Sequence, residues 1–192
     1  MQGLGWIRQE HIMRRLFTWF LLCSVHTLAA QTPKPSGPAI DPVMTSTRPH
    51  YQRVKDYILR AADQMHEADY AFRPTPEVRS FGELLGHIAT TQFSFCATAL
   101  DEQPPTKEDF EKTRVTKATI LEALHASFSY CDRAYAMIDR RATTRAKSGD
   151  RSEQIPLSML VLNIGHDFEH YGNLVTYLRL KKLVPPSSQP RP

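Results

Sequence analysis

Pro156-Leu157-Ser158-Met159-Leu160-Val161-Leu162-Asn163-Ile164-Gly165-His166-Asp167-Phe168-Glu169-His170-Tyr171-Gly172-Asn173-Leu174-Val175-Thr176-Tyr177-Leu178 is the stretch whose reading decides the fold of this chain. At 100° per residue, Leu157, Leu160, Val161, Ile164, Phe168, Tyr171, Val175 and Leu178 fall on one stripe, the signature of a long amphipathic helix. Pro156 is tolerated at its first position, and the pattern continues to about Lys182. His166 and His170, one turn apart, point the same way, roughly 150° from the stripe centre. Their neighbours on that side, Met159, Leu162, Asn173 and Tyr177, suit a semi-polar pocket. Two imidazoles at i and i+4 can chelate a borderline cation such as zinc, provided a third ligand arrives from elsewhere. The string also fits the H-x-x-E-H pattern of inverzincin peptidases, with Glu169 as general base. That chemistry draws a further carboxylate from downstream, and residues 171–192 contain no Asp or Glu, which sets the peptidase reading aside.

Working back from this helix, the same period recurs three times. Residues from about Thr116 to Arg141 turn Ile120, Leu121, Leu124, Phe128, Cys131, Tyr135 and Ile138 inward, and a polar loop from Ala146 to Gln154 joins them to Pro156. Ser80-Phe81-Gly82-Glu83 is a capping box that opens a helix running to about Leu100, closed by Gln103-Pro104-Pro105. On it, His87 lies off the Phe81, Leu85, Ile88, Phe95 and Ala99 stripe, beside Thr91, Ser94 and Thr98, which leave space around it. His87 is therefore the candidate third ligand. A first helix from near Arg48 to Glu67 buries Tyr51, Val54, Ile58, Ala61 and Met65, and ends before Phe72-Arg73-Pro74-Thr75-Pro76. Four such helices without strand alternation predict an all-α, antiparallel four-helix bundle over residues 47–183.

The remaining residues read as processing signal and spacer. Arg14-Arg15, the apolar run Leu16 to Val25 and Thr27-Leu28-Ala29-Ala30 have the order of a secretory signal, with Met13 an alternative start. Ten apolar residues are too few to span a bilayer, which needs about 20. The expectation is cleavage after residue 30 and an exported protein, periplasmic or secreted. Residues 31–46 hold Pro33, Pro35, Pro38 and Pro42, and residues 184–192 hold Pro185, Pro186, Pro190 and Pro192; these read as a linker and a tail. The net charge of +4 falls to +2 once Arg8, Arg14, Arg15 and Glu10 leave with the leader, so no nucleic-acid partner is expected. Cys96 and Cys131 remain, able to pair in an oxidising compartment or to act as small buried hydrophobes.

Two stretches together carry a resemblance. Phe72-Arg73-Pro74-Thr75-Pro76-Glu77-Val78-Arg79-Ser80-Phe81-Gly82-Glu83-Leu84-Leu85-Gly86-His87-Ile88-Ala89, followed by His166-Asp167-Phe168-Glu169-His170-Tyr171-Gly172-Asn173-Leu174-Val175-Thr176-Tyr177-Leu178-Arg179, resembles the DinB/YfiT-like superfamily. The resemblance implies a four-helix bundle and a divalent metal, zinc or nickel first, held by His87, His166 and His170. Three histidines leave a fourth position for water, whose pKa on zinc can fall to about 7. Asp167, Glu169 and Asn173, the last standing where many relatives carry Gln, are the candidates to support the ligands from behind. The family includes S-transferases that use low-molecular-weight thiols and proteins only named as metal-dependent hydrolases, and many members have no known reaction. An exported chain fits a small-molecule hydrolase better than a user of a cytosolic thiol. The alternative is a non-catalytic module in which the ion pins the second helix to the fourth. No stable membrane insertion is expected after cleavage, and a homodimer stays open.

Overall fold

The computed structural model describes residues 42–137 and 156–190. Within them lie five helices and no strand: α1 Pro42–Gln64, α2 Phe81–Leu100, the short α3 Phe110–Thr113, α4 Lys117–Tyr135 and α5 Pro156–Leu180. The leader, the polar loop from Ala146 to Gln154, Ile138 and Arg141 lie outside the described residues. Among the described residues, no helix is long and apolar enough to cross a membrane.

The capping box forms as its sequence dictates. Glu83 N–H donates to Ser80 Oγ at 3.2 Å, and Ser80 N–H donates to Glu83 Oε2 at 2.7 Å. Arg73 holds the same carboxylate at 2.8 Å, so the 72–80 segment is tied to the helix it precedes. At the other end Asp101 takes a left-handed conformation (φ 57°), and Glu102 N–H reaches back to the carbonyl of Ala97.

α2 packs chiefly against α4 and α5, and α1 against the same two helices, so α1 and α2 face each other across the bundle. The core between them holds Tyr51, Val54, Ile58, Phe81, Leu85, Ile88, Ile120, Leu124, Phe128, Leu160 and Leu178, all 0–1% exposed. Tyr51 stacks on Tyr135 at 3.7 Å, and its hydroxyl donates to Asp132, which also binds Lys55 at 2.7 Å. Cys96 of α2 and Cys131 of α4 form a disulfide with Cα atoms 5.3 Å apart. Closing a loop across 35 positions is worth about 3–4 kcal/mol in the chain-entropy account.

Several boundaries differ from those expected from sequence: α1 ends at Gln64 rather than Glu67, and α4 at Tyr135 rather than near Arg141. α1 begins at Pro42 rather than near Arg48, because Met44 is wholly buried and anchors a turn inside the expected linker. The expected tail is docked over its described part. Pro186 is buried, Ser187 N–H donates to Tyr171 Oη at 2.8 Å, and the Gln189 amide donates to Gln64 at 3.1 Å. The polar stretch after α2 contains α3, where Phe110 is an apolar anchor, 5% exposed, among charged neighbours.

α3 is seated by two contacts with α2. Phe110 N–H donates to Thr90 Oγ1 at 3.0 Å, and its backbone passes over Gly86 so closely that a Cβ there would lie 2.7 Å from the Phe110 carbonyl oxygen. Gly86→Ala must therefore push α3 away. Overpacking of about 1–3 kcal/mol outweighs the ~0.5–1 kcal/mol that Ala gains over Gly within a helix. A lower urea midpoint at unchanged m-value is the expected result, and an unchanged or higher midpoint would refute the close approach.

Candidate metal centre

His87 sits in the second turn of α2, and His166 and His170 sit on consecutive turns of α5. Because α2 and α5 pack directly, the three rings meet at their seam. His166 Nε2 lies 3.2 Å from His87 Nε2 and 3.0 Å from His170 Nε2. One ligand atom from each lies within 4.8 Å of the others, and together they form a group able to hold a metal ion. Two donors about 2.0–2.1 Å from a tetrahedral zinc stand about 3.3 Å apart, so this spacing fits the donor set. Burial first, and then the neighbouring imidazoles, pushes His166 down to about 4. Burial, followed by His87 and Arg79, pushes His170 down to about 4. Burial and then Arg79 lower His87 as well, against an opposing pull from Glu111. The rings are therefore neutral near pH 7, so no imidazolium has to lose its charge before a cation is bound.

Two of the imidazoles are supported from behind. Glu111 Oε2 lies 3.3 Å from His87 Nδ1, and its other oxygen accepts from Arg79 Nε at 2.9 Å. Thr91 Oγ1 lies 3.5 Å from His166 Nδ1 while donating to the His87 carbonyl. Phe95 meets the edge of His166 with ring centroids 5.4 Å apart. His170 Nδ1 is buried without a partner. Beside His170 opens a cleft of about 650 Å³, lined by Arg79, Asn173, Thr176 and Tyr177 among others. Its wall is held in place where Tyr177 Oη donates to the carbonyl of Arg79 at 2.6 Å.

The structure places His87, His166 and His170 together, and it sets their expected supports in different surroundings. Asn173 lines the cleft, Glu169 is exposed and acts on His166 only through its charge, and Asp167 turns into the core. The buried face of α5 is rotated from the expected stripe: Asn163, Asp167, His170 and Leu174 are buried, whereas Val161 of that stripe is about half exposed, as is Leu162 on the histidine side. Polar residues can occupy the inner face because they pair with one another. Asp167 Oδ2 accepts from Gln92 Nε2 at 3.2 Å and Asn163 Nδ2 at 3.3 Å, and the Asn163 amide also reaches Tyr135 Oη. Glu111 escaped the sequence reading; Phe110 within Lys107-Glu108-Asp109-Phe110-Glu111-Lys112 was the signal of a seated turn.

The acid–amide cluster has its own pH signature. Complete burial raises Asp167 to about 8, against the lowering effect of Gln92 and Asn163. Gln92 Oε1 and Asn163 Oδ1 are buried acceptors without donors, and a protonated Asp167 brings the proton that the cluster lacks. A carboxyl group whose folded pKa is raised stabilises the fold below its unfolded pKa, and that contribution is lost as pH climbs through about 8. Asp167→Asn keeps the shape and removes the charge. Urea midpoints at pH 5, 7 and 9 are expected to fall with pH more steeply in wild type than in the variant. Parallel curves would sink the assignment.

Comparison with known proteins gives the chain its relatives. The model of the DinB superfamily matches residues 50–174. A solved structure described as the conserved protein of locus from Enterococcus faecalis shares 18% identity at a TM-score of 0.56, covering 74% of this chain and 98% of that one. That likeness is one of fold. No curated protein matches.

Proposed function

The chain belongs to the DinB superfamily, and from that premise we propose that it is an exported metal-dependent hydrolase of a small molecule, with His87, His166 and His170 as its metal ligands. The observation that carries the reading is the convergence of three neutral imidazoles, one of which, His170, lines an open cleft. A zinc or nickel ion bound there would supply Lewis acidity for hydrolysis.

The chain's own groups do the rest. Among the described residues His87, His166 and His170 form a group of three, so a tetrahedral ion held by them would keep one position for substrate or solvent, as catalytic sites do and closed structural sites do not. Arg79 presents a cation along the cleft, and Asn173, Thr176 and Tyr177 offer polar groups to orient a ligand. Export is supported by the disulfide, which persists in oxidising compartments. The same compartment supports hydrolysis over transfer to a low-molecular-weight thiol, because reduced thiols are scarce there.

Purified wild type is expected to carry near-stoichiometric metal, and the triple variant His87→Ala/His166→Ala/His170→Ala little or none. Equal, negligible metal in both would overturn the ligand assignment. Against a panel of ester, amide and thiol-conjugate substrates, turnover should be abolished by a chelator; activity that is absent or indifferent to chelation would leave metal binding without hydrolysis. Sequencing the N-terminus of protein recovered outside the cytoplasm should begin near Gln31. Recovery of only the uncleaved chain from the cytosol would refute export.

A further inference from the structure

The His87 ring has two nitrogens, and the structure gives each a different neighbour. Nε2 faces His166 across the α2–α5 seam, while Nδ1 faces Glu111 on α3. A neutral imidazole carries one proton, so a carboxylate at Nδ1 draws that proton to Nδ1 and leaves the Nε2 lone pair turned to the other histidines. Glu111 is itself fixed from two sides. Arg79 Nε donates to Oε1 at 2.9 Å, and the turn that carries Glu111 rests on Gly86, where a Cβ would lie 2.9 Å from the Glu111 Cα. Thr90, one turn beyond Gly86, accepts from Phe110 N–H and completes the seat. Two of the four residues of α3, Phe110 and Glu111, are thereby engaged in holding one carboxylate against one imidazole.

We propose that Glu111 is the positioning residue of the metal centre, setting the tautomer and ring orientation of His87, with Arg79 as its clamp. The proposal rests on His87 being a metal ligand but concerns a different group, on a helix that carries no ligand. It also gives Gly86 a role at the centre, since a side chain there would lift Glu111 away from His87. Partners of this kind alter metal affinity by about 10–100-fold when removed.

The test measures zinc affinity by competition with a chromogenic chelator, and the His87 tautomer by long-range proton–nitrogen NMR on metal-free protein. Glu111→Ala is expected to bind zinc about 10–100-fold more weakly and to shift His87 from the Nδ1–H form towards the Nε2–H form. Glu111→Gln, whose amide oxygen still accepts from Nδ1–H, should recover most of both. Lys112→Ala, which alters the adjacent exposed residue paired with Asp109, should change neither and controls for damage to α3. Wild-type affinity and an unchanged tautomer in Glu111→Ala would overturn the proposal, as would failure of Glu111→Gln to rescue. If wild type binds no zinc, the metal reading fails by itself, and the tautomer measurement still decides the role of Glu111.

Discussion

Three neutral imidazoles are brought together in a partly dry seam by the packing of α2 on α5, their Nε2 atoms within hydrogen-bonding distance of one another. The Nε2 distances of 3.0 and 3.2 Å are set by two helices whose positions are fixed elsewhere, by the core around Leu85, Ile88 and Leu160 and by the disulfide from α2 to α4. Desolvation keeps the rings unprotonated, and a divalent cation is the partner that uses all three lone pairs at once. The centre is thus a consequence of bundle packing in its location and of burial in its protonation.

The same seam holds a second polar group with a different solution. Gln92, Asn163 and Asp167 are 0% exposed and satisfy one another in part, with Asp167 keeping its proton near neutrality. His166 and Asp167 are adjacent in sequence yet face different surroundings, one the other two histidines, the other the core. Successive residues on a helix diverge by 100°, which is enough to separate them.

Much of this was legible in the residues. Periodicity placed four long helices, the capping box of Ser80 and Glu83 located the start of α2, and the spacing of His166 and His170 assigned them to one side of α5. The rotation of α5 was not legible. Hydrophobicity ranks Val161 above Asp167 for burial, and only the partners that Gln92 and Asn163 supply reverse that order. Met44 and Pro186 escaped for a related reason: proline-rich composition argues against self-sustained order but says nothing of a groove between helices that can receive it.

What the sequence determined by itself was therefore local and periodic: helix identity, the caps, the i,i+4 histidine pair and the turn-breaking prolines, all dictated by backbone sterics and a 3.6-residue repeat. Tertiary structure alone decided which imidazole nitrogens converge, that Cys96 and Cys131 lie within bonding reach, and that Glu111 stands behind His87. Glu111 follows His87 by 24 positions, and Cys131 follows Cys96 by 35. Contacts across such separations are fixed by the relative placement of packed helices, which no local pattern encodes.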